Sequence, residues 1–184
     1  MIHGFLRVCT LSPSLRVADC PYNAKMTVEA MRQAAADGAQ LAVFPELGLT
    51  GYTCSDLFLQ PLQRAAEEAL RTVLETSKTL ALVTAVGLPV NVDGKLYNCA
   101  AIVCRGRLLG LVPKTYIPNY GEFYERRHFS PAPSGVRRRR CSARSCCSAA
   151  APCRNSCWRR RSARISGRRC LRARRTHWPA RPSL

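Results

Sequence analysis

The amino-acid sequence predicts a layered α/β fold for residues 1–130, and three observations lead to this prediction. Apolar runs with strand character alternate with amphipathic helical segments in the first half of the chain. An almost continuous apolar run at residues 80–88 is typical of a buried strand. Two further apolar runs, at residues 97–104 and 108–112, follow one another so closely that they predict a hairpin. Alternating strands and helices followed by a hairpin are typical of an α/β arrangement.

The first 44 residues contain two predicted strands with one predicted helix between them. Residues 5–11 and 41–44 are short apolar runs that predict strands. The helix is predicted over residues 23–37, with Asn23 as its N-cap and Gly38 at its end. Its apolar residues recur at helical spacing and are Ala24, Val28, Met31 and Ala35.

A second helix is predicted to begin near Pro61, because proline is tolerated in the first turn of a helix. Its apolar positions are Leu62, Ala66, Leu70 and Val73. Asp93 and Gly94 then predict a turn. The segment Arg105–Gly106–Arg107 predicts the short connection between the last two strands. The sequence contains no internal repeat.

The composition of the chain changes abruptly near residues 131–136. Of the 29 Lys and Arg residues, 13 lie in residues 1–130, together with all 11 Asp and Glu residues. Residues 131–184 hold the other 16, all of them Arg, and contain no acidic residue. A folded domain normally mixes both signs of charge and carries aromatic residues for its core. We therefore interpret residues 131–184 as a disordered Arg-, Cys-, Ser- and Ala-rich tail that is translated out of the original reading frame.

The tail is open to two functional interpretations besides the absence of any selected function. Its arginine clusters at residues 137–140, 159–161, 168–169 and 174–175 would bind nucleic acid or another polyanion without sequence specificity. The tail also contains the residue types of a zinc site, at Cys146, Cys147, Cys153, Cys157 and His177. Because a paired Cys-x-x-Cys is lacking, we predict no metal site.

The sequence shows no targeting or membrane signal. Residues 1–4 lack the basic segment and long apolar run of a signal peptide. No apolar stretch reaches the length of a transmembrane helix. We therefore expect a cytoplasmic protein without a membrane partner, in which the 11 cysteines are thiols.

Two ionisable residues stand at the ends of predicted strands. Glu46 follows the apolar run 41–44 and precedes a glycine-rich turn, and Lys114 ends the apolar run that begins at Leu108. A carboxylate partly shielded from water at such a place is a candidate general base. Two such groups suggest one site, although a single charge at a strand end is more often simply solvated.

The residues around Glu46 and Lys114 resemble the signatures of the carbon–nitrogen hydrolase (nitrilase) superfamily. Residues 44–52, FPELGLTGY, are similar to the first signature, and residues 96–101, LYNCAA, are similar to the strand before the lysine. Within the superfamily, residues 53–58 and 114–127 resemble the amino-terminal glutaminase domain of glutamine-dependent NAD+ synthetases. The resemblance covers residues 1 to about 130.

The resemblance implies a four-layer αββα sandwich, of which residues 1–130 would form an incomplete front part. It also implies amide hydrolysis by a Glu–Lys–Cys set, in which Glu46 takes the thiol proton and later activates water. Lys114 would hold a positive charge near the developing oxyanion. Glu122 matches an additional glutamate that helps to position the site, and Tyr120 matches a position that contacts the glutamine substrate. For Glu122 and Tyr120, the competing interpretation is a polar loop residue on the surface.

No cysteine of the chain has the context that the resemblance implies for the nucleophile, which is a Gly-x-x-Ile-Cys-x-Asp-like turn after a hydrophobic strand. The cysteines after Lys114 follow no apolar run and precede no acid; they are Cys141, Cys146, Cys147, Cys153, Cys157 and Cys170. The five cysteines before Lys114 are out of order and are expected to be small core or surface residues. We therefore predict that the chain has no nucleophile and is inactive.

The resemblance further implies that full-length family members use glutamine, ATP with Mg²⁺ and deamido-NAD+, and that they form homo-oligomers. No glycine-rich phosphate-binding loop is present in this sequence, so we predict no cofactor for the chain itself. Two alternatives remain. One is another amidase of the superfamily, against which residues 120–127 argue, and the other is a non-catalytic protein whose tail binds polyanions.

Overall fold

The structure, a computed structural model, describes residues 4–59 and 62–132. The regular elements in these ranges are β1 (Val8–Thr10), α1 (Cys20–Ala36), β2 (Leu41–Val43), α2 (Leu62–Ser77), β3 (Val83–Val92), β4 (Lys95–Cys104) and β5 (Arg107–Pro113). Two short 3₁₀ turns, Ser55–Leu59 and Glu125–Arg127, are present that the sequence analysis did not predict.

The five strands form one sheet in which the order of the strands is the order of the chain, β1-β2-β3-β4-β5. The pairs β1–β2 and β2–β3 are parallel, and the pairs β3–β4 and β4–β5 are antiparallel. Parallel pairs need a crossover connection, which α1 and α2 supply, whereas antiparallel pairs can be joined by tight turns. The predicted α/β class with a terminal hairpin is therefore confirmed.

The two tight turns of the sheet have the backbone conformation that suits hairpins. Asp93 and Gly94 have φ angles of 51° and 75°, and Arg105 and Gly106 have φ angles of 48° and 72°. Two successive residues with positive φ match the right-handed twist of the flanking strands. β3 continues up to the first of these turns and ends at Val92, beyond the predicted end at residue 88.

Helix α1 begins three residues earlier than the sequence analysis predicted. Its N-cap is Asp19, whose Oδ1 accepts a hydrogen bond from the Tyr22 amide at 3.1 Å. The predicted cap, Asn23, lies instead inside the helix and is fully buried. Its side chain accepts from the Arg16 amide and donates to the Arg16 carbonyl, both at 2.8 Å. The prediction of Asn23 as the cap was wrong because its amide is used to hold the preceding loop.

The two faces of the sheet differ in their environment. Alternate residues of β3 and β4, such as Val86 and Val103, are fully buried in one core with Met31 of α1 and Val73 of α2. The opposite face is apolar and only partly covered by the described residues; it carries Leu41, Val43, Val83, Ala85, Ala100, Ile102 and Val112. The described residues thus form one sheet and one helical layer, two of the four layers that the resemblance implies.

The predicted tail lies outside the described residues from residue 133 onward. Within the described residues, no helix is long and apolar enough to cross a membrane.

Candidate active site

Glu46 lies in a turn that is pressed against strand β3. β2 ends at Val43, after which the Phe44 amide donates to the Ala85 carbonyl at 2.9 Å. The Leu49 amide returns to the same strand, at the Gly87 carbonyl, at 3.1 Å. Between these two points Leu47 adopts a φ of 52°, a left-handed conformation that costs a non-glycine residue backbone energy. The position of Glu46 is therefore determined by the backbone around it.

Gly87 makes the close approach of this turn possible. A Cβ atom at position 87 would lie 2.3 Å from the Leu47 nitrogen and 2.8 Å from the Pro45 carbonyl oxygen. Both of these atoms belong to the backbone, so a side chain at position 87 would displace the turn that carries Glu46.

We expect the substitution Gly87→Ala to lower the free energy of unfolding by about 1–3 kcal/mol or more, as other overpacked sites do. Gly110→Ala is the matched control, because a Cβ at position 110 of the same sheet would meet nothing within 4 Å. Urea denaturation of the two variants should separate them clearly. Equal stabilities would contradict the steric account of Gly87.

Lys114 follows the end of β5 and is held in register with β4. Its backbone amide donates to the Asn98 carbonyl at 2.7 Å. Its Nζ atom lies 2.7 Å from Glu46 Oε1 and 2.8 and 2.9 Å from the two carboxylate oxygens of Glu125. One ammonium group is thereby shared between two carboxylates, and we call these three residues the Glu–Lys–Glu cluster.

Asn98 and Tyr52 complete the hydrogen bonding of the cluster. Asn98 is buried within β4, and its Nδ2 donates to Glu46 Oε1. Tyr52 Oη donates to Glu125 Oε1 at 2.6 Å. Glu46 therefore receives two donors on one oxygen, while its side chain remains 43% exposed on the outer side. It is less shielded from water than the sequence analysis expected.

The electrostatic environment keeps Lys114 charged. Burial by itself lowers the pKa of Lys114, but the hydrogen bonds to Glu125 and Glu46 outweigh it, so the pKa is raised above its usual value. Lys114 therefore remains an ammonium group throughout the neutral range. It can stabilise negative charge, and it cannot act there as a neutral amine nucleophile.

Of the predicted site residues, the structure brings together Glu46 and Lys114 and leaves Glu122 and Tyr120 outside the cluster. Glu122 is exposed and forms no hydrogen bond or ion pair with any residue that the structure describes. Tyr120 is 71% exposed, and its ring contacts that of Phe123 with centroids 5.7 Å apart. The acid that reaches Lys114 is Glu125, whose side chain is only 6% exposed.

Three members of the site were not predicted from the sequence: Asn98, Tyr52 and Glu125. An amide in the middle of an apolar strand was a signal for Asn98, because asparagine is depleted in strand interiors. No local pattern marks Glu125, which lies in the short 3₁₀ turn Glu125–Arg127. Tyr52 ends the segment FPELGLTGY, but nothing local to it indicates a partner 73 residues away.

None of the cysteines in the described residues lies in the cluster. Cys9, Cys20, Cys54, Cys99 and Cys104 are free thiols. Cys99 is next to Asn98 in β4, so its side chain points to the opposite face of the sheet. Burial raises the pKa of Cys99 to about 12 and, together with the nearby Cys54, that of Cys20 to about 11. Thiols with such raised pKa values are poor nucleophiles.

Known proteins share both the sequence and the fold of this chain. The family model for carbon-nitrogen hydrolase matches residues 5–163. Glutamine-dependent NAD(+) synthetase of Mycobacterium tuberculosis is 43% identical over 130 residues, which are 70% of this chain and 19% of that protein. The protein of the same name from Thermotoga maritima is 37% identical over 127 residues, 68% of this chain and 22% of its own length. The chain thus spans about a fifth of the length of these relatives.

Solved structures give the same result. A glutamine-dependent NAD(+) synthetase from Cytophaga hutchinsonii superimposes with a TM-score of 0.64 and 30% identity, covering 71% of this chain and 22% of that one. A carbon-nitrogen hydrolase from Helicobacter pylori has a TM-score of 0.61 at 22% identity, with coverage of 71% and 46%, and indicates a shared fold. On the evidence of the family match, which extends over most of its length, the chain belongs to the carbon-nitrogen hydrolase family.

Proposed function

We propose that residues 4–132 carry the acid–base part of a site that hydrolyses the side-chain amide of glutamine. The observation that carries the proposal is the Glu–Lys–Glu cluster, with Lys114 Nζ 2.7–2.9 Å from Glu46 and Glu125. Relatives that share this part of the chain are named glutamine-dependent NAD(+) synthetases. In a full-length protein, the ammonia released would serve the ATP-dependent conversion of deamido-NAD+ to NAD+.

In the proposed reaction Glu46 accepts the proton of a cysteine thiol, and the thiolate attacks the amide carbon. The carbon–nitrogen bond then breaks, ammonia leaves with a proton returned by Glu46, and water hydrolyses the resulting thioester. The Lys114 ammonium lies beside Glu46, where it would stabilise the oxyanion of the tetrahedral intermediates. Glu125 holds that ammonium from the other side, so we assign to it the positioning role that the resemblance implies for Glu122. Tyr120 remains a proposed contact of the glutamine substrate.

The thiol for this reaction has no candidate among the described residues. The cysteines of residues 4–59 and 62–132 lie outside the cluster, and six others lie outside the described residues in a sequence context unlike that of a nucleophile. We therefore propose that the chain as it stands does not hydrolyse glutamine. That the chain itself uses neither ATP nor Mg²⁺ is a proposal of the same kind.

Ammonia release from glutamine by the purified chain tests the proposal of inactivity. We expect a rate no higher than that of the Glu46→Ala variant, which lacks the proposed base. A diazoketone analogue of glutamine, which alkylates an activated cysteine, provides a second measurement by mass spectrometry. Glu46-dependent ammonia release, or Glu46-dependent alkylation of one cysteine in residues 133–184, would show instead that the chain holds its own nucleophile.

A polyanion-binding function of the tail is the second candidate, favoured by the 16 arginines and the absence of acid in residues 131–184. Cytoplasmic location, expected from the lack of a targeting signal, and a homo-oligomeric state, implied by the resemblance, are further proposals.

A further inference from the structure

The loop between β2 and α2 contacts the turn that carries Glu125. Tyr52 of this loop donates its hydroxyl to Glu125 Oε1 at 2.6 Å. The same oxygen also accepts from Lys114 Nζ at 2.8 Å, and Oε2 accepts from Lys114 Nζ at 2.9 Å. Oε1 therefore receives two donors. These hydrogen bonds restrain rotation of the Glu125 carboxylate and orient it toward Lys114.

Two further contacts hold the same pair of segments together without touching the carboxylate. Arg127 Nη2 lies 3.0 Å from Asp56 Oδ1, with both side chains more than 60% exposed. The rings of Phe58 and Phe129 pack edge to face with centroids 5.0 Å apart. These two contacts hold the turn in place. Of the three contacts between the segments, the one made by Tyr52 reaches the Glu125 carboxylate. The role of the hydroxyl is therefore separable from the docking of the turn.

We propose that Tyr52 is a positioning residue: its hydroxyl holds Glu125 in the orientation that shares the Lys114 ammonium between Glu125 and Glu46. The proposal deepens the proposed function and rests on it for its catalytic meaning. If Glu125 were free to turn away, the ammonium would pair with Glu46 alone. A carboxylate that holds an ammonium to itself is a weaker proton acceptor than one that shares it. Tyr52 thus acts on the base through two intervening side chains.

The protonation state of Tyr52 suits this role. Partial burial and the hydrogen bond to Glu125 raise the pKa of the Tyr52 phenol, so that the hydroxyl keeps its proton and remains a donor. Glu125 Oε1 then accepts from both Tyr52 and Lys114, while Oε2 accepts from Lys114.

The reactivity of Lys114 tests the proposal without any catalytic turnover. The chain has four lysines, Lys25, Lys78, Lys95 and Lys114, and acetic anhydride modifies only their neutral amines. In the full chain we expect Lys114 to react more slowly than the others, because its pKa is raised. In Tyr52→Phe, loss of one hydrogen bond to Glu125 should increase the acetylation rate of Lys114 relative to Lys95 by about threefold to fivefold near pH 9.

Two variants separate positioning from structure. Tyr124→Phe removes a hydroxyl from a tyrosine that is 69% exposed and adjacent to Glu125, and Asp56→Asn removes the ion pair with Arg127. Both should leave the relative rate of Lys114 unchanged. An unchanged rate in Tyr52→Phe, or an equal increase in either control, would overturn the proposal. Because the measurement needs no hydrolysis, its result stands apart from the success or failure of the proposed amidase function.

Discussion

We expect a chimaera of this chain with the remainder of a relative to hydrolyse glutamine. Substitution of Glu46 should abolish most of that activity. The design replaces the 130 aligned residues of the Mycobacterium tuberculosis protein by those of this chain. Glu46→Gln should lower kcat by about 10²–10⁴-fold, since that is the usual contribution of a general base. Lys114→Met should lower it by about 10²–10³-fold, the usual effect of losing one group that stabilises the oxyanion.

The same chimaera distinguishes the two glutamates near Lys114. Glu125→Gln replaces the buried acid that bonds to the ammonium, and Glu122→Gln makes the same chemical change three residues away in an exposed position. We expect a large loss of kcat for Glu125→Gln and a small one for Glu122→Gln, measured as ammonia release at saturating glutamine. The reverse order would contradict the assignment of Glu125 to the site, and a Glu46→Gln variant of full activity would contradict the proposed base.

A peptide of residues 131–184 is expected to bind DNA of any sequence and to lose this binding steeply with salt. Sixteen arginines without acidic residues would neutralise many phosphates at once. The counterions released on binding make the affinity fall by about 10³-fold or more between about 50 and 200 mM salt. Fluorescence anisotropy with two unrelated duplexes of equal length measures both properties.

A scrambled peptide of the same composition is the control for the tail. It should bind with nearly the same affinity, because phosphate contacts carry no sequence information. If scrambling abolished binding, or if one duplex were strongly preferred at all salt concentrations, the tail would be a specific recognition element. The interpretation of residues 131–184 as out-of-frame sequence would then be wrong.

What could be predicted of this molecule depends on how local its signals are. Glu46 and Lys114 could be identified because each follows an apolar strand and stands in a signature of adjacent residues. The hairpin of β4 and β5 could be predicted for the same reason, since its turn residues lie between the two strands. The start of α1 was predicted incorrectly because Asp19 and Asn23 are both suitable caps, and only the burial of Asn23 by the preceding loop decides between them.

Glu125 illustrates a contact that no local pattern contains. Its burial depends on the docking of its turn onto the loop of Tyr52, through rings as distant in sequence as Phe58 and Phe129. Glu122 stands at a similar distance from Lys114 along the chain, and the sequence alone gave no reason to prefer one acid over the other. Glu125 reaches Lys114 because its turn packs against the loop of Tyr52.

The coincidence of strand order with chain order has a consequence for the synthesis of this protein on the ribosome. Within the described sheet, each of β2 to β5 pairs with the strand translated just before it, and β1 alone waits for a later partner. Low sequence separation between pairing elements favours rapid folding, and chains emerge at only about 5–20 residues per second. Glu46, Asn98, Lys114 and Glu125 can therefore meet while the chain is still being made. The charged cluster can form only after Glu125 has left the ribosomal exit tunnel, so codons well beyond residue 132 are read before it exists.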